Sequence, residues 1–305
     1  MVVLWVEIEI MSSLAPIVLF TYNRPDHTIK TIEALKSNKL AKESRLFIFS
    51  DGAKSVKDSE AVNRLREYLK GIDGFKSIEI IERNQNYGLK KSIINGVSTV
   101  VNEYGKIIVL EDDVVTSPTF LNYMNFALSY FENDKKVWHI SGWTPDINTK
   151  SLPDFFFWRI MNCYGWGTWE DRWSNYSSDS NEIMKSFNFI EKMRFSFWGL
   201  ANFWRQIKAN KSGKINTWAI FWYAVIFKNK GLCLTPKQSF AKNIGFDGSG
   251  VHTTAENAYK NERVLNNKSI FHFEQIKVKE STKAIQKAYW FYFMEDLTKL
   301  FRKIN

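Results

Sequence analysis

Lys106–Phe120 reads KIIVLEDDVVTSPTF, an apolar run that ends abruptly in three carboxylates. Ile107, Ile108, Val109 and Leu110 have the length and branching of a buried strand, and Glu111, Asp112 and Asp113 follow at its end. Ser117 and Pro118 then suggest an N-cap and a first-turn proline for a helix. Three adjacent acids at the end of an apolar strand repel one another and resist desolvation unless a cation lies among them. Oxygen ligands of this kind suit Mn²⁺ or Mg²⁺, and strand C-termini are where open α/β sheets bind ligands. An acidic loop facing water is the other reading of the same residues.

Working outward, Ala15 to Tyr130 alternates strand and helix. Strands are expected at APIVLF (15–20), RLFIF (45–49), SIEIIE (77–82) and Ile107–Leu110. Helices are expected at His27–Asn38, Val56–Leu69 and Tyr87–Tyr104, from apolar residues three and four apart. This alternation predicts an α/β fold, a mostly parallel sheet flanked by helices. Right-handed crossovers then bring the strand-end loops to one edge. Those loops carry Thr21, Asn23 and Arg24, then Asp51, then Asn84, Asn86 and Gly88, then the three acids. No P-loop is present and no G-x-G-x-x-G follows the first strand, which argues against a standard nucleotidase or a dinucleotide dehydrogenase.

The totals fit one large domain or two fused lobes: 305 residues, 45% hydrophobic and 24% charged. Aromatic residues make up 16%, enough that some are expected to line a cleft or a membrane-facing surface. Two cysteines, Cys163 and Cys233, imply no disulfide framework and suit a reducing cytosol. The net charge of +10 is lopsided, since residues 205–305 hold 18 Lys and Arg against 7 Asp and Glu. A basic last third suits an anionic partner such as phosphates or acidic lipid. No run of 18 apolar residues occurs, and the apolar start MVVLWVEIEIM lacks the basic opening of a signal peptide.

Beyond Tyr130 the pattern loosens. VWHISGW (137–143) is a short strand, and NCYGWGTWEDRW (162–173) is a glycine-hinged turn into a helix. On that helix Trp166, Trp169 and Trp173 share a face, either as core or as a platform on which sugars stack. Phe187–Trp204 and Trp218–Phe227 read as helices, and GLCLTP (231–236) as a strand. NIGFDGSGVHT (243–253) is a glycine-rich loop holding His252, a structural residue or a metal ligand. Residues 283–305 form a helix with an apolar stripe flanked by lysines. It either lies in an anionic membrane interface or docks on the protein's own core.

In this order, IVLFTYNRP, FIFSDG, NYGLKKSIINGV and LEDD resemble the nucleotide-binding half of GT-A (Rossmann-like) nucleotide-sugar glycosyltransferases. The likeness is closest to N-acetylglucosaminyltransferase I and to bacterial family 2-like enzymes of surface polysaccharide synthesis. ISGW (140–143), CYGWGTWEDRW (163–173), residues 215–236 and NIGFDGSGVHT extend it. It implies an N-terminal extension (1–14), a nucleotide-sugar-binding half (15–130), an acceptor-binding half (131–275) and an amphipathic C-terminal helix (276–305). It further implies that Asp113 and His252 meet a Mn²⁺ (or Mg²⁺) ion, and that Asp112 and Glu111 shape the donor site. Thr21, Arg24, Asp51 and Lys90 would contact the nucleotide of a UDP-sugar, with Asp51 facing the uracil.

One departure stands out. Where N-acetylglucosaminyltransferase I has a Trp-acid-acid-Trp stretch bearing its base, this chain reads Trp218-Ala219-Ile220-Phe221-Trp222, with no carboxylate. Asp171 and Glu170 are therefore expected as the base of an inverting transfer, with Asp146 and Asp247 in reserve. Trp143, Trp166 and Trp169 are expected to wall a cleft for a glycan or lipid-linked acceptor. The implied setting is the cytoplasm, peripheral to the inner face of an anionic membrane, with no nucleic-acid partner. The rival readings are a sugar nucleotidyltransferase and a non-catalytic sugar- or membrane-binding protein.

Overall fold

A computed structural model of the chain describes residues 14–247 and 265–304. The strand–helix alternation is present: β1 (Ile17–Thr21), α1 (Pro25–Lys36), β2 (Arg45–Ser50), α2 (Val56–Lys70), β3 (Ser77–Glu82), α3 (Leu89–Tyr104) and β4 (Lys106–Glu111). The second half adds β5 (Val114–Thr116), α4 (Phe120–Tyr130), β6 (Val137–Ser141), β7 (Phe155–Trp158), β8 (Trp166–Trp169) and α5 (Glu170–Trp173). It continues through α6 (Ser180–Ser186), α7 (Phe189–Phe195), α8 (Phe203–Lys211), α9 (Ala219–Lys228), β9 (Leu232–Pro236), β10 (Ala241–Asn243) and α10 (Thr282–Ile304).

Eight strands form one sheet in the order β3-β2-β1-β4-β8-β6-β9-β7. The first four are mutually parallel, β8 is antiparallel to both β4 and β6, and β6 and β9 are parallel. Because β8 reverses direction between them, β4 and β6 point the same way. The ends of β1, β2, β4, β6 and β9 therefore share one edge with the start of β8. This is the GT-A arrangement.

Side-chain alternation along the strands feeds two cores. Val18, Phe20 and Val109 pack with Val97 and Val101 of α3 and with Phe221 and Trp222 of α9. Leu19, Ile108 and Leu110 pack with Ile32 and Leu35 of α1 and with Tyr123 and Met124 of α4. A strand fed from both faces has no polar side, which is why IVLFT is buried throughout.

Several local expectations are corrected. Ser117 does not cap α4. A short strand, β5, intervenes, Thr119 sits at the N-cap position, and the helix amide of Leu121 donates instead to Asn38 Oδ1 at 2.9 Å. The helix expected over 187–204 is broken at Phe197 and Trp198, which adopt φ values of 51° and 57°. Trp166 and Trp169 lie on a strand, not a helix, and both are fully buried. Strands β7 and β10 had no clear sequence signal, since FFFW and AKN are too short to show a period.

The C-terminal helix docks on the body. Ala284, Ile285 and Ala288 are buried, and Tyr289 and Tyr292 meet the ring of Phe197 at 4.8 and 5.1 Å. Arg159 grips Glu280 just ahead of it in a bidentate pair at 2.8 and 2.9 Å. Among the described residues no helix is long and apolar enough to cross a membrane.

Candidate active site

Strand β4 delivers Glu111 to the sheet edge, and the turn into β5 carries Asp112 and Asp113. Arg24, from the loop after β1, donates to Asp113 Oδ2 at 2.9 Å and lies 3.7 Å from Asp112 Oδ1. Asn243, at the end of β10, donates to Asp113 Oδ1 at 2.9 Å, and the Ile244 amide donates to the Asp113 carbonyl at 2.8 Å. The turn is thus held from both sides by the β5–β10 ladder and the β1 loop.

Charge is concentrated here beyond what Arg24 neutralises. Burial first, then the neighbouring Asp113 and Asp112 carboxylates, push the Glu111 carboxyl up to about 8. Burial and Asp113 likewise raise Asp112 to about 7. Such elevation marks a pocket with negative potential to spare, which a divalent ion relieves. Among the described residues no three His, Cys, Asp or Glu side chains form a ready-made metal cage. An all-oxygen, one- or two-carboxylate site nevertheless fits an ion that takes its other ligands from water and substrate phosphates. The residues present therefore suit Mg²⁺ or Mn²⁺ at Asp113. His252 lies outside the described residues.

Beside the acids, polar donors wait for a partner. Arg24 Nε and Nη2 and the buried Thr21 Oγ1 have none among the described residues, and an unpaired guanidinium edge is costly to bury. These are the groups that would bind an anionic ligand.

Asp51 is engaged by the protein's own backbone. Its carboxylate accepts from the amides of Gly52 (3.0 Å), Tyr87 (2.8 Å) and Gly88 (2.9 Å). Two of these bonds hold the loop ahead of α3, and the third tightens the turn after β2, so Asp51 organises the wall of the site. Gly52 approaches the backbone of Gln85 so closely that a Cβ there would lie 2.5 Å from its carbonyl carbon. Lys90, in the first turn of α3, lies 4.3 Å from the centroid of Phe221, and burial lowers its ammonium pKa.

The expected base is not at this edge. Because β8 runs antiparallel to β4, Trp169 pairs with Lys106 and Trp166 with Val109. Glu170 and Asp171 therefore fall beyond the start of β4, at the end opposite the acids, where the Glu170 amide donates to the Gly105 carbonyl at 2.8 Å. Asp171 is paired with Lys135 (2.7 Å) and Arg172 (2.6 Å). Partial burial would raise its pKa, but those bonds hold it below its ordinary value, the wrong direction for a base. Trp166 and Trp169 are likewise corrected, from cleft wall to core: Trp166 stacks on His139 at 5.4 Å and on Trp218 at 5.3 Å. Trp143 is only partly buried and meets Tyr164 edge-on at 5.0 Å, and Tyr164 in turn meets Phe246 at 6.1 Å.

Sequence reasoning missed Asn243 and Cys163 as parts of the site, whereas Gly245 belongs to the glycine-rich loop it singled out. The Gly245 amide donates to Asn243 Oδ1 at 2.7 Å. A Cβ on Gly245 would come within 2.6 Å of Arg24 Nη2 and 2.9 Å of Asp113 Cγ, so only glycine fits. Its place in NIGFDG was the available signal. Burial raises the Cys163 thiol pKa, and the charges of Glu111 and Asp113 raise it further, so Cys163 lies within reach of their field.

Comparison with known proteins gives the following. The model of the GNT-I family matches residues 4–156, half of the chain. Among solved structures, the mannosyltransferase PcManGT of Pyrobaculum calidifontis, in complex with GDP-Man and Mn²⁺, is 9% identical with a TM-score of 0.39. The alignment covers 71% of this chain and 69% of that one. The galactosyltransferase LgtC, with donor and acceptor sugar analogues, is 12% identical with a TM-score of 0.37 over 71% and 72% of the two chains. A UDP-glucose pyrophosphorylase complexed with UDP-glucose is 10% identical with a TM-score of 0.38 over 75% and 92%. A search of the curated proteins finds no match. On the family match, spanning the first strand through the acids of β4, the chain belongs to the GNT-I family and is a glycosyltransferase that works on nucleotide-sugars.

Proposed function

We propose that the protein is a metal-dependent, inverting glycosyltransferase that moves a hexosyl or N-acetylhexosaminyl group from a UDP-sugar to a hydroxyl of a glycan or lipid-linked acceptor. One arrangement carries the reading: three carboxylates, two of them raised to about 8 and about 7, lie beside Arg24 Nε, Arg24 Nη2 and Thr21 Oγ1, which have no partner among the described residues. A pocket needing both a cation and an anion suits a metal–diphosphate pair. Asp113 would hold the ion, with Asp112 beside it. Mn²⁺ or Mg²⁺ bound there supplies positive charge that stabilises the departing diphosphate. Arg24 and Thr21 bind phosphate oxygens from the β1 side, and Asp51 keeps the 86–88 loop in place for the nucleotide.

We assign the base to Asp247. It follows Gly245, whose backbone abuts Asp113, and its Oδ2 is held 3.0 Å from His27 Nε2. From there it would take the proton of the acceptor hydroxyl as that oxygen attacks the anomeric carbon and UDP leaves. The basic last third of the chain supports work at the inner, cytoplasmic face of an anionic membrane, in surface polysaccharide synthesis. The test is a panel of nucleotide-sugars scored by thermal shift with and without MnCl₂. A UDP-sugar that stabilises the chain only with metal is the expected result, and indifference to every nucleotide-sugar overturns the reading.

A further inference from the structure

Across the site edge from the acids, a groove of about 590 Å³ runs between the loop after β6 and one face of α10. Asp146 and Asn148 line one side and Gln286, Lys287, Trp290 and Met294 the other. The helix docks through its opposite face, where Ala284, Ile285 and Ala288 are buried. Trp290 is left 63% exposed and Met294 44%.

We propose that this groove binds a sugar residue of the acceptor glycan, set back from the hydroxyl that reacts. This rests on the reading of the protein as a transferase to a glycan. The flat apolar face of Trp290 matches the C–H face of a pyranose ring, and Asp146, Asn148 and Gln286 offer directional acceptors and donors to its hydroxyls. The volume falls within the roughly 300–1,000 Å³ of small-molecule sites. Position agrees as well. Strand β6 is two places from β4 in the sheet and β7, on which α10 packs, is four, so the groove lies roughly 10–20 Å from the end of β4. The 146–148 loop starts a few residues further on, suiting a subsite removed from the reaction centre. A bilayer surface would instead call for a convex apolar and basic face, whereas this one is concave and carries Asp146.

Saturation-transfer NMR on the full chain tests the assignment, using oligosaccharides released by mild acid from the host cell's surface glycans. Wild-type protein is expected to transfer saturation to pyranose ring protons. Trp290→Ala and Gln286→Ala are expected to weaken that signal at least tenfold while calorimetric UDP binding with MnCl₂ stays unchanged. Equal signals in wild type and both variants overturn the proposal, and so does the absence of any glycan signal. It is also overturned if Trp290→Ala instead abolishes binding to phosphatidylglycerol-containing vesicles and leaves glycan binding intact, which makes the face a membrane contact. Loss of UDP binding by the wild type would count against the transferase reading itself, separately from the groove.

Discussion

Arg24 and Asp113 form an ion pair at 2.9 Å across the mouth between β1 and β4, and Gly245 lies against both. Among the described residues, Arg24 is the cationic side chain paired with this triad of acids, and it does not balance their remaining charge. The chemistry of the pocket, and its dependence on pH and metal, follows from that imbalance.

Gly245→Ala is the most local test of this packing. The added methyl collides with the Arg24 guanidinium and the Asp113 carboxylate, neither of which can retreat without breaking their pair. UDP affinity in the presence of MnCl₂ is expected to fall at least about tenfold, ~1.4 kcal/mol. Thermal stability should change little. Unchanged affinity by calorimetry would mean that the 243–247 segment does not shape the donor site.

Stabilisation by metal should depend on pH in a definite direction. Glu111 and Asp112 have folded values of about 8 and about 7, above their ordinary 4.5 and 3.8. From about pH 4 to about pH 8 the folded chain therefore holds more protons than the unfolded one, and their contribution to stability fades as pH rises. A divalent ion compensates the ionised form, so millimolar MnCl₂ should raise Tm more at about pH 8.5 than at about pH 6. An equal shift at both, or the reverse order, contradicts the electrostatic account.

His139 titrates in the opposite sense. Burial, partly opposed by the bond to the Asn162 carbonyl, lowers its pKa from 6.5 to about 3. Between those values the unfolded chain binds the proton and the folded chain does not, so the share of stability that His139 contributes is lost as pH falls from 6.5 towards 3, opposing the gain from Glu111 and Asp112. His139→Gln removes this titration. Its urea midpoint is expected to rise more than that of the wild type as pH falls from about 6.5 to about 4, because the opposing titration is gone; parallel profiles would place the proton elsewhere.

Asp171→Asn should leave transfer nearly untouched. Asp171 is at the wrong end of β4 and joins a surface pair with Lys135. The change is expected to alter stability by no more than about 1 kcal/mol and the rate by less than about twofold. Asp247→Asn, in contrast, should lose transfer while keeping UDP. A large rate loss in the Asp171 variant with normal donor binding would reinstate it as the base.

Much of residues 15–130 was legible because each element there carries its own period and punctuation. β4 with its acids, Arg24 after β1, and the Gly88 turn ahead of α3 all lie where local pattern put them. The residues beyond Tyr130 were less so. WGTW has the spacing of a helix face but becomes a strand, because β8 is enclosed by β4 and β6 and an all-apolar strand suits that slot. That single reversal carried Glu170 and Asp171 to the far edge, and no local signal announces the direction in which a strand enters a sheet. Asn243 meets Asp113 across 130 residues of sequence, a contact made by topology alone.

The central claim is that Asp113 anchors a metal that draws in the diphosphate, and calorimetric titration of UDP into wild type and Asp113→Ala, with and without MnCl₂, tests it most directly. The wild type should bind UDP at least about a hundredfold more tightly with Mn²⁺ than without, ~2.7 kcal/mol. The variant, folded by its Tm, should show no such gain. Full Mn²⁺-dependent binding by Asp113→Ala would contradict the account.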